Sequence, residues 1–125
     1  MDERVRRALR HGHVIDITTR GRRTGAPRRI EIVFHVIGGR LYITGMPRAD
    51  RTRAWLLNLR ADPRFTFHLR GSAAADLPAT ARIVTDEAER RAVFAEVVKV
   101  WKGQDIDTMT RYSPLIEVNL LDLAA

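Results

Sequence analysis

Residues 28–36 alternate strictly: Ile30, Ile32, Phe34 and Val36 fall on one side, Arg29, Glu31, Val33 and His35 on the other. A period of two is that of a half-buried β-strand. Gly38-Gly39 then supplies a hairpin turn, since glycine enters positive φ without a Cβ clash, and residues 41–44 form the return strand. The same alternation sets Ile15 and Ile17 against Asp16 and Thr18, and Phe65, Phe67 and Leu69 against Thr66, His68 and Arg70. Ala79, Ala81 and Ile83 mark a fifth strand, and residues 115–121 a sixth.

Between the strands the period lengthens. Residues 2–10 place Val5 and Leu9 four apart, with acids first and arginine last, which suits a short helix and its dipole. Asp50 or Thr52 can cap a helix running to about Ala61 that buries Trp55, Leu56 and Leu59 before Pro63 stops it. Asp86 with Glu89 makes a capping box. The helix it opens turns Val93, Phe94, Val97, Val98 and Trp101 inward and ends at Gly103. Segments 20–27, 45–51, 71–78 and 104–113 read as loops. No repeat, low-complexity tract or linker interrupts residues 1–125, so one domain is expected. Six strands with helices inserted singly predict an α+β fold: a six-stranded antiparallel barrel with two to three helices.

Composition narrows what such a barrel does. With no cysteine among 125 residues, disulfide scaffolds, thiolate metal sites and cysteine nucleophiles are excluded. No apolar run reaches the roughly 18–20 residues of a membrane span, and the basic N-terminus lacks a signal peptide's apolar core, so a cytoplasmic location is expected. The net charge of +7 is unevenly held: residues 1–70 carry +10 and residues 71–125 carry −3. An anionic partner for the first half follows: nucleic acid, an acidic membrane or lipid surface, or a phosphorylated small molecule. Nucleic acid fits least, because the basic half has no recognition helix and no aromatic platform among its arginines.

Protein-borne chemistry finds little footing. The four histidines at 11, 13, 35 and 68 lack HxxxH or HExxH spacing. His11-Gly-His13 reads as a polar terminal segment, and His35 and His68 as strand residues on partly exposed faces. Ser72 and Ser113 lie outside any G-x-S-x-G elbow, and no acid pair has glycosidase placement. An enzyme built on this chain borrows its chemistry from a cofactor. The segment Arg20-Gly21-Arg22-Arg23-Thr24-Gly25-Ala26-Pro27-Arg28-Arg29 holds five arginines around two glycines. Glycine lets backbone N–H groups approach an anion, and guanidinium forks bind phosphate or carboxylate bidentately. Neither the Walker pattern nor G-x-G-x-x-G is present. Two readings stand: an anion-binding loop, and a solvated basic turn.

The stretch ITTRGRRTGAPRRIEIVF, then LYITG, then AWLLNLRADPRFTFHL resembles the deazaflavin-dependent nitroreductase family of actinobacteria. These are split β-barrel proteins related to the FMN-binding split barrels. The likeness is closest over residues 14–85 and rests on two motifs, T-x-G-R-[RK]-[ST]-G-x-P-R and W-x-x-N-L-[RK]-A-[DN]-P. It implies coenzyme F420, and less so FMN, with the phosphate held by Arg22, Arg23 and Arg28 beside Thr24. The cofactor's polyanionic tail would suit Arg48, Arg51 and Arg53, and its ring would meet Gly45, Met46, Trp55 and Asn58. Plain helix-to-barrel packing is an equal reading of Trp55 and Leu59, whereas a buried Asn58 amide requires partners.

By the same resemblance, reduced F420 delivers hydride to an electron-poor small-molecule substrate: a quinone, an enone or a nitro compound. Trp101, Met109 and Tyr112 would wall the substrate side, and Tyr112 or solvent would give the proton. Barrels of this family commonly form homodimers, for which Ala73–Leu77 or the strand edges are available. The chain departs from the family in having Glu31 and Val33 where a proline and a tyrosine stand, GMPR after the third strand, and a single tyrosine, Tyr112, near the end. The alternative is a non-catalytic protein of the same fold that binds a fatty acid or another flavin-like anion.

Overall fold

The computed structural model describes residues 2–48 and 53–121. Six strands, β1 (Val14–Arg20), β2 (Pro27–Ile37), β3 (Arg40–Thr44), β4 (Arg64–Leu69), β5 (Ala75–Ile83) and β6 (Leu115–Leu120), close into a barrel. The order around it is β1-β2-β3-β6-β5-β4, and every pairing is antiparallel. Alternation puts Ile15, Ile17, Phe34, Ile43 and Phe67 inside, each with no exposed surface. The rings of Phe34 and Phe67 meet edge to face at 5.2 Å.

Helices α1 (Glu3–Ala8) and α2 (Ala54–Ala61) join that interior through Val5 and through Trp55, Leu56 and Leu59, with Leu9 just past α1. A second core lies on the outer side of β3. There Tyr42 packs with Val93, Phe94 and Val97 of α3 (Glu87–Val100) and with Met109 of α4 (Ile106–Tyr112). Strand β3 is therefore buried on both faces from Leu41 to Thr44.

The structure differs from the sequence expectation in four places. Residues 104–113 contain α4, so the described residues hold four α-helices rather than two to three. Asp105 caps α4 by accepting from Thr108 N at 2.9 Å, and its few apolar residues gain their stability from α3 rather than from local propensity. The expected loop 71–78 shrinks to a 3₁₀ turn at Gly71–Ala73, and β5 begins at Ala75. Pro78 is tolerated because residues 75–78 pair only with β4, where the other flank needs no N–H. His35 and His68, expected on partly exposed faces, are 6% and 7% exposed. The proposed caps Asp50 and Thr52, and Arg51, lie outside the described residues.

Strand β2 changes partner along its length, with residues 27–33 bonded only to β1 and residues 34–37 only to β3, and in β5 residues 75–78 are bonded only to β4.

Candidate functional site

The arginine-rich loop joins β1 to β2 and is tightly closed. Gly21 N donates to Ala26 O and Gly25 N to Gly21 O, each at 2.8 Å. Gly25 sits at φ +77°, a conformation that side chains disfavour. Thr24 Oγ1 accepts from Ala26 N at 3.2 Å, so its own hydroxyl proton is still available to a ligand. The Arg28 side chain runs alongside Gly21, with its Nε 3.6 Å from where a Cβ there would stand.

Asn58 of α2 fastens this loop to the barrel. Its Oδ1 accepts from both Arg22 N and Arg22 Nη1, each at 3.2 Å, and its Nδ2 donates to Thr19 Oγ1 at 3.1 Å. The amide is only 3% exposed, so the partners a buried amide requires are supplied by the protein.

The five loop arginines divide by charge. Arg20 faces Asp62 at 3.9 Å, and Arg29 pairs with Asp16 at 3.0 Å. The bidentate hydrogen bonds of Arg64 to Asp62 hold that carboxyl at about 2. Glu31 points away from the loop and accepts from Arg70 Nη1 at 2.8 Å, so its charge is met on the barrel exterior. No ion pair among the described residues involves Arg22, Arg23 or Arg28, and all three are exposed.

Across α2 lies a groove of about 590 Å³. Arg53, Leu56 and Arg60, spaced three and four apart around α2, form one wall. Arg48, residues 83–85, Arg90 and the segment 111–115 complete it, and no carboxylate lines it among the described residues. Gly45 is shaped by this groove, because a Cβ there would come within 3.2 Å of the Arg53 guanidinium. Arg90 ties the floor together: its guanidinium donates to the carbonyls of Val84 (3.0 Å), Thr110 (2.9 Å) and Ser113, and stands over the Phe94 ring at 5.4 Å. Burial pushes the Arg90 pKa down, yet a guanidinium stays charged at any physiological pH. A further groove of about 610 Å³ shares Thr85, Arg90, Arg111 and Tyr112 and continues the trough between α3 and α4.

The predicted residues are thus gathered around α2, but not all alike. Arg22, Arg23, Thr24 and Arg28 share the loop; Gly45 adjoins Arg53; Met46 is 46% exposed. Trp55 is 7% exposed and belongs to the barrel core. The proposed substrate wall does not form as one surface. Tyr112 lines the arginine groove, Met109 has no exposed surface, and Trp101 lies elsewhere, edge-on to His35 at 4.9 Å. Met109 is excluded from contact because α4 turns it into the second core, the same helix whose presence was not expected.

Arg60, Arg90 and Arg111 were not singled out by sequence. The helical spacing of Arg53, Leu56 and Arg60 carried a signal for the first. Arg90 carried none, since its three acceptors come from segments 6 to 23 residues away.

A metal-ligating cluster of three or more His, Asp or Glu is absent among the described residues, and no helix there is long and apolar enough to cross a membrane. What the site offers is positive charge, forked donors and a trough open to solvent. That donor set fits an elongated, multiply anionic cofactor.

Comparison with known proteins gives the same direction. The sequence profile described as F420H(2)-dependent quinone reductase matches residues 2–120. A conserved hypothetical protein of Mycobacterium tuberculosis superposes with a TM-score of 0.72 at 20% identity, over 97% of this chain and 81% of that one. A structure described as an F420 reductase gives 0.71 at 16% identity, over 96% and 95%. An F420-H2 dependent reductase gives 0.64 at 20% identity, over 85% and 93%. At these identities the structural likeness establishes the shared fold.

Proposed function

The chain belongs to the F420H2-dependent quinone reductase family, and on that premise we propose that it is an F420-dependent oxidoreductase acting on an electron-poor small molecule. The observation that carries this reading is the β1–β2 loop, whose exposed Arg22, Arg23 and Arg28 enter no ion pair among the described residues, beside an arginine-lined groove on the other side of α2. Arg22, Arg23 and Arg28, with the Thr24 hydroxyl, would hold the cofactor phosphate. Gly45, Arg48, Arg53 and Arg60 would hold the remainder along the groove, with Met46 at its rim. Bound F420H2 supplies a hydride to the substrate.

The protein's part is binding, orientation and charge. Arg53 at the N-cap and Arg60 in the last turn of α2 start from backbone positions that one short helix fixes relative to each other. Tyr112, 42% exposed and lining the groove, would offer a phenolic O–H as the proton donor to a reduced quinone or nitro group, a role solvent can share. Neither Trp101 nor Met109 is needed for this arrangement. A fatty acid suits the groove less well, since its chain would lie against guanidinium groups. A second copy of the chain would dock on the singly paired segments of β2 or β5.

Titration with F420, followed by its fluorescence, tests the reading. Wild type is expected to bind in the micromolar range, and reduced F420 to be consumed when a quinone is added. Arg22→Ala should weaken binding by about 1.5–3 kcal/mol, the value of a hydrogen bond to a charged group. Absence of binding at micromolar F420 would overturn the assignment.

A further inference from the structure

Both polar atoms of the Asn58 side chain are bonded within the protein. Its amide oxygen receives the main-chain N–H and one guanidinium nitrogen of the same residue, Arg22, across 36 positions of sequence. Its amide nitrogen is spent on Thr19 Oγ1, itself only 2% exposed. With 3% exposure, Asn58 has no surface left for a ligand.

The consequence concerns Arg22. An arginine carries five N–H donors in a fixed fork. Oδ1 engages one of them, so the remaining edge is free to grip an anion bidentately. Nearby arginines are anchored by carboxylates, Arg29 by Asp16 and Arg64 by Asp62, which orient the side chain but cancel its charge. A neutral amide orients without cancelling. We infer that Asn58 is a positioning residue: it fixes Arg22 from α2, through a neutral acceptor, so that a full positive charge is presented to the anion at the loop. This deepens the cofactor reading above and rests on it for the identity of the anion.

The same contact joins the two arginine sets. Asn58 lies on the helix that carries Arg53 and Arg60, so α2 places the loop cation and the groove cations on one rigid element.

Asn58→Asp separates positioning through a neutral acceptor from simple tethering. An aspartate keeps both acceptor contacts to Arg22, and Thr19 Oγ1 can reverse and donate to it, but it pairs the guanidinium with a charge. The probes are F420 and inorganic pyrophosphate, titrated against wild type, N58D, N58A, R22A and the two double variants, with thermal melts of each unliganded protein. N58D is expected to melt within a few degrees of wild type yet bind both probes about tenfold or more weakly, approaching R22A. N58A should weaken binding by roughly threefold to tenfold, through loss of orientation alone. In the R22A background neither change at position 58 should shift affinity by more than about twofold. Binding by N58D equal to wild type would overturn the inference, and so would losses at 22 and 58 that multiply independently. If wild type binds pyrophosphate but not F420, the cofactor assignment fails while the same variants still decide the role of Asn58. If it binds neither, no anion site exists at the loop and both fail.

Discussion

Replacing Arg90 with methionine removes the fork that holds the groove floor while keeping an unbranched apolar stem. Three hydrogen bonds disappear, to the carbonyls of Val84, Thr110 and Ser113, together with the contact over Phe94 at 5.4 Å. Each bond to a charged donor is worth about 1.5–3 kcal/mol net, and the cation–π contact about 0.5–1. The gross loss is offset because the guanidinium is partly desolvated in the folded state, which is also why its pKa is pushed down. The carbonyls are the ends of segments that can partly rehydrate in the open trough. A net destabilisation of about 3 kcal/mol is expected. With an unfolding entropy of about 2.1 cal/mol/K per residue, the whole chain has about 260 cal/mol/K, so the melting temperature should fall by about 11 °C. Lysine at the same position should restore less than half of this, since one ammonium cannot reach acceptors on three segments. Thermal and urea melts of wild type, R90M and R90K measure it. An R90M melting point within 3 °C of wild type would refute the assignment of Arg90 as the tie between the β5–α3 junction and the C-terminal end of α4.

Three further perturbations follow from the same geometry. Gly12→Ala would bring a Cβ to 2.3 Å from Phe34 O and 2.9 Å from His35 Cα; neither is a flexible side-chain end, so a loss of about 3 kcal/mol or more is expected in urea unfolding. Gly45→Ala meets only the Arg53 guanidinium at 3.2 Å, so stability should change by less than about 0.5 kcal/mol while F420 affinity drops several-fold. His35 is held below its ordinary pKa by burial, and its Nε2 has no partner among the described residues. As the pH falls below about 6.5 the unfolded chain takes up a proton that the folded one resists, so stability is full above that pH and declines through the window beneath it. His35→Gln should flatten the wild-type stability slope between about pH 7 and 5, and an unchanged slope would reject burial as the cause.

Much of the barrel was legible locally. The alternation in β2 and the Gly38-Gly39 turn report a period of two and a positive-φ requirement, both properties of a few consecutive residues. The capping box at Asp86 and Glu89 is equally local, and Asp86 does accept from Glu89 N at 2.8 Å. Helix α4 was not legible, because seven residues with one fully buried apolar side chain form a helix only once α3 is there to pack against. The outward positions of β2 and β4 failed in the same way. His35 is covered by Trp101, and His68 is enclosed by Thr18 and Asp76, each at 2.7 Å, and none of these neighbours is adjacent in sequence.

The chemistry of the site is written in residue types: five arginines and two glycines in one turn, an asparagine inside an apolar helix, and no thiol, metal set or hydroxyl nucleophile in a working context. Residue type sets charge and hydrogen-bonding capacity wherever the chain goes. Which of those charges meet a carboxylate depends on the folded barrel. Barrel closure gives Arg29 to Asp16 and Glu31 to Arg70, while Asn58 takes Arg22 without neutralising it. Docking of α3 and α4 then turns Arg90 and Arg111 toward the face where α2 presents Arg53 and Arg60, and buries Met109. Local periodicity follows from backbone geometry within one element; the pairing of charges depends on contacts between elements, and those are fixed only when the barrel closes.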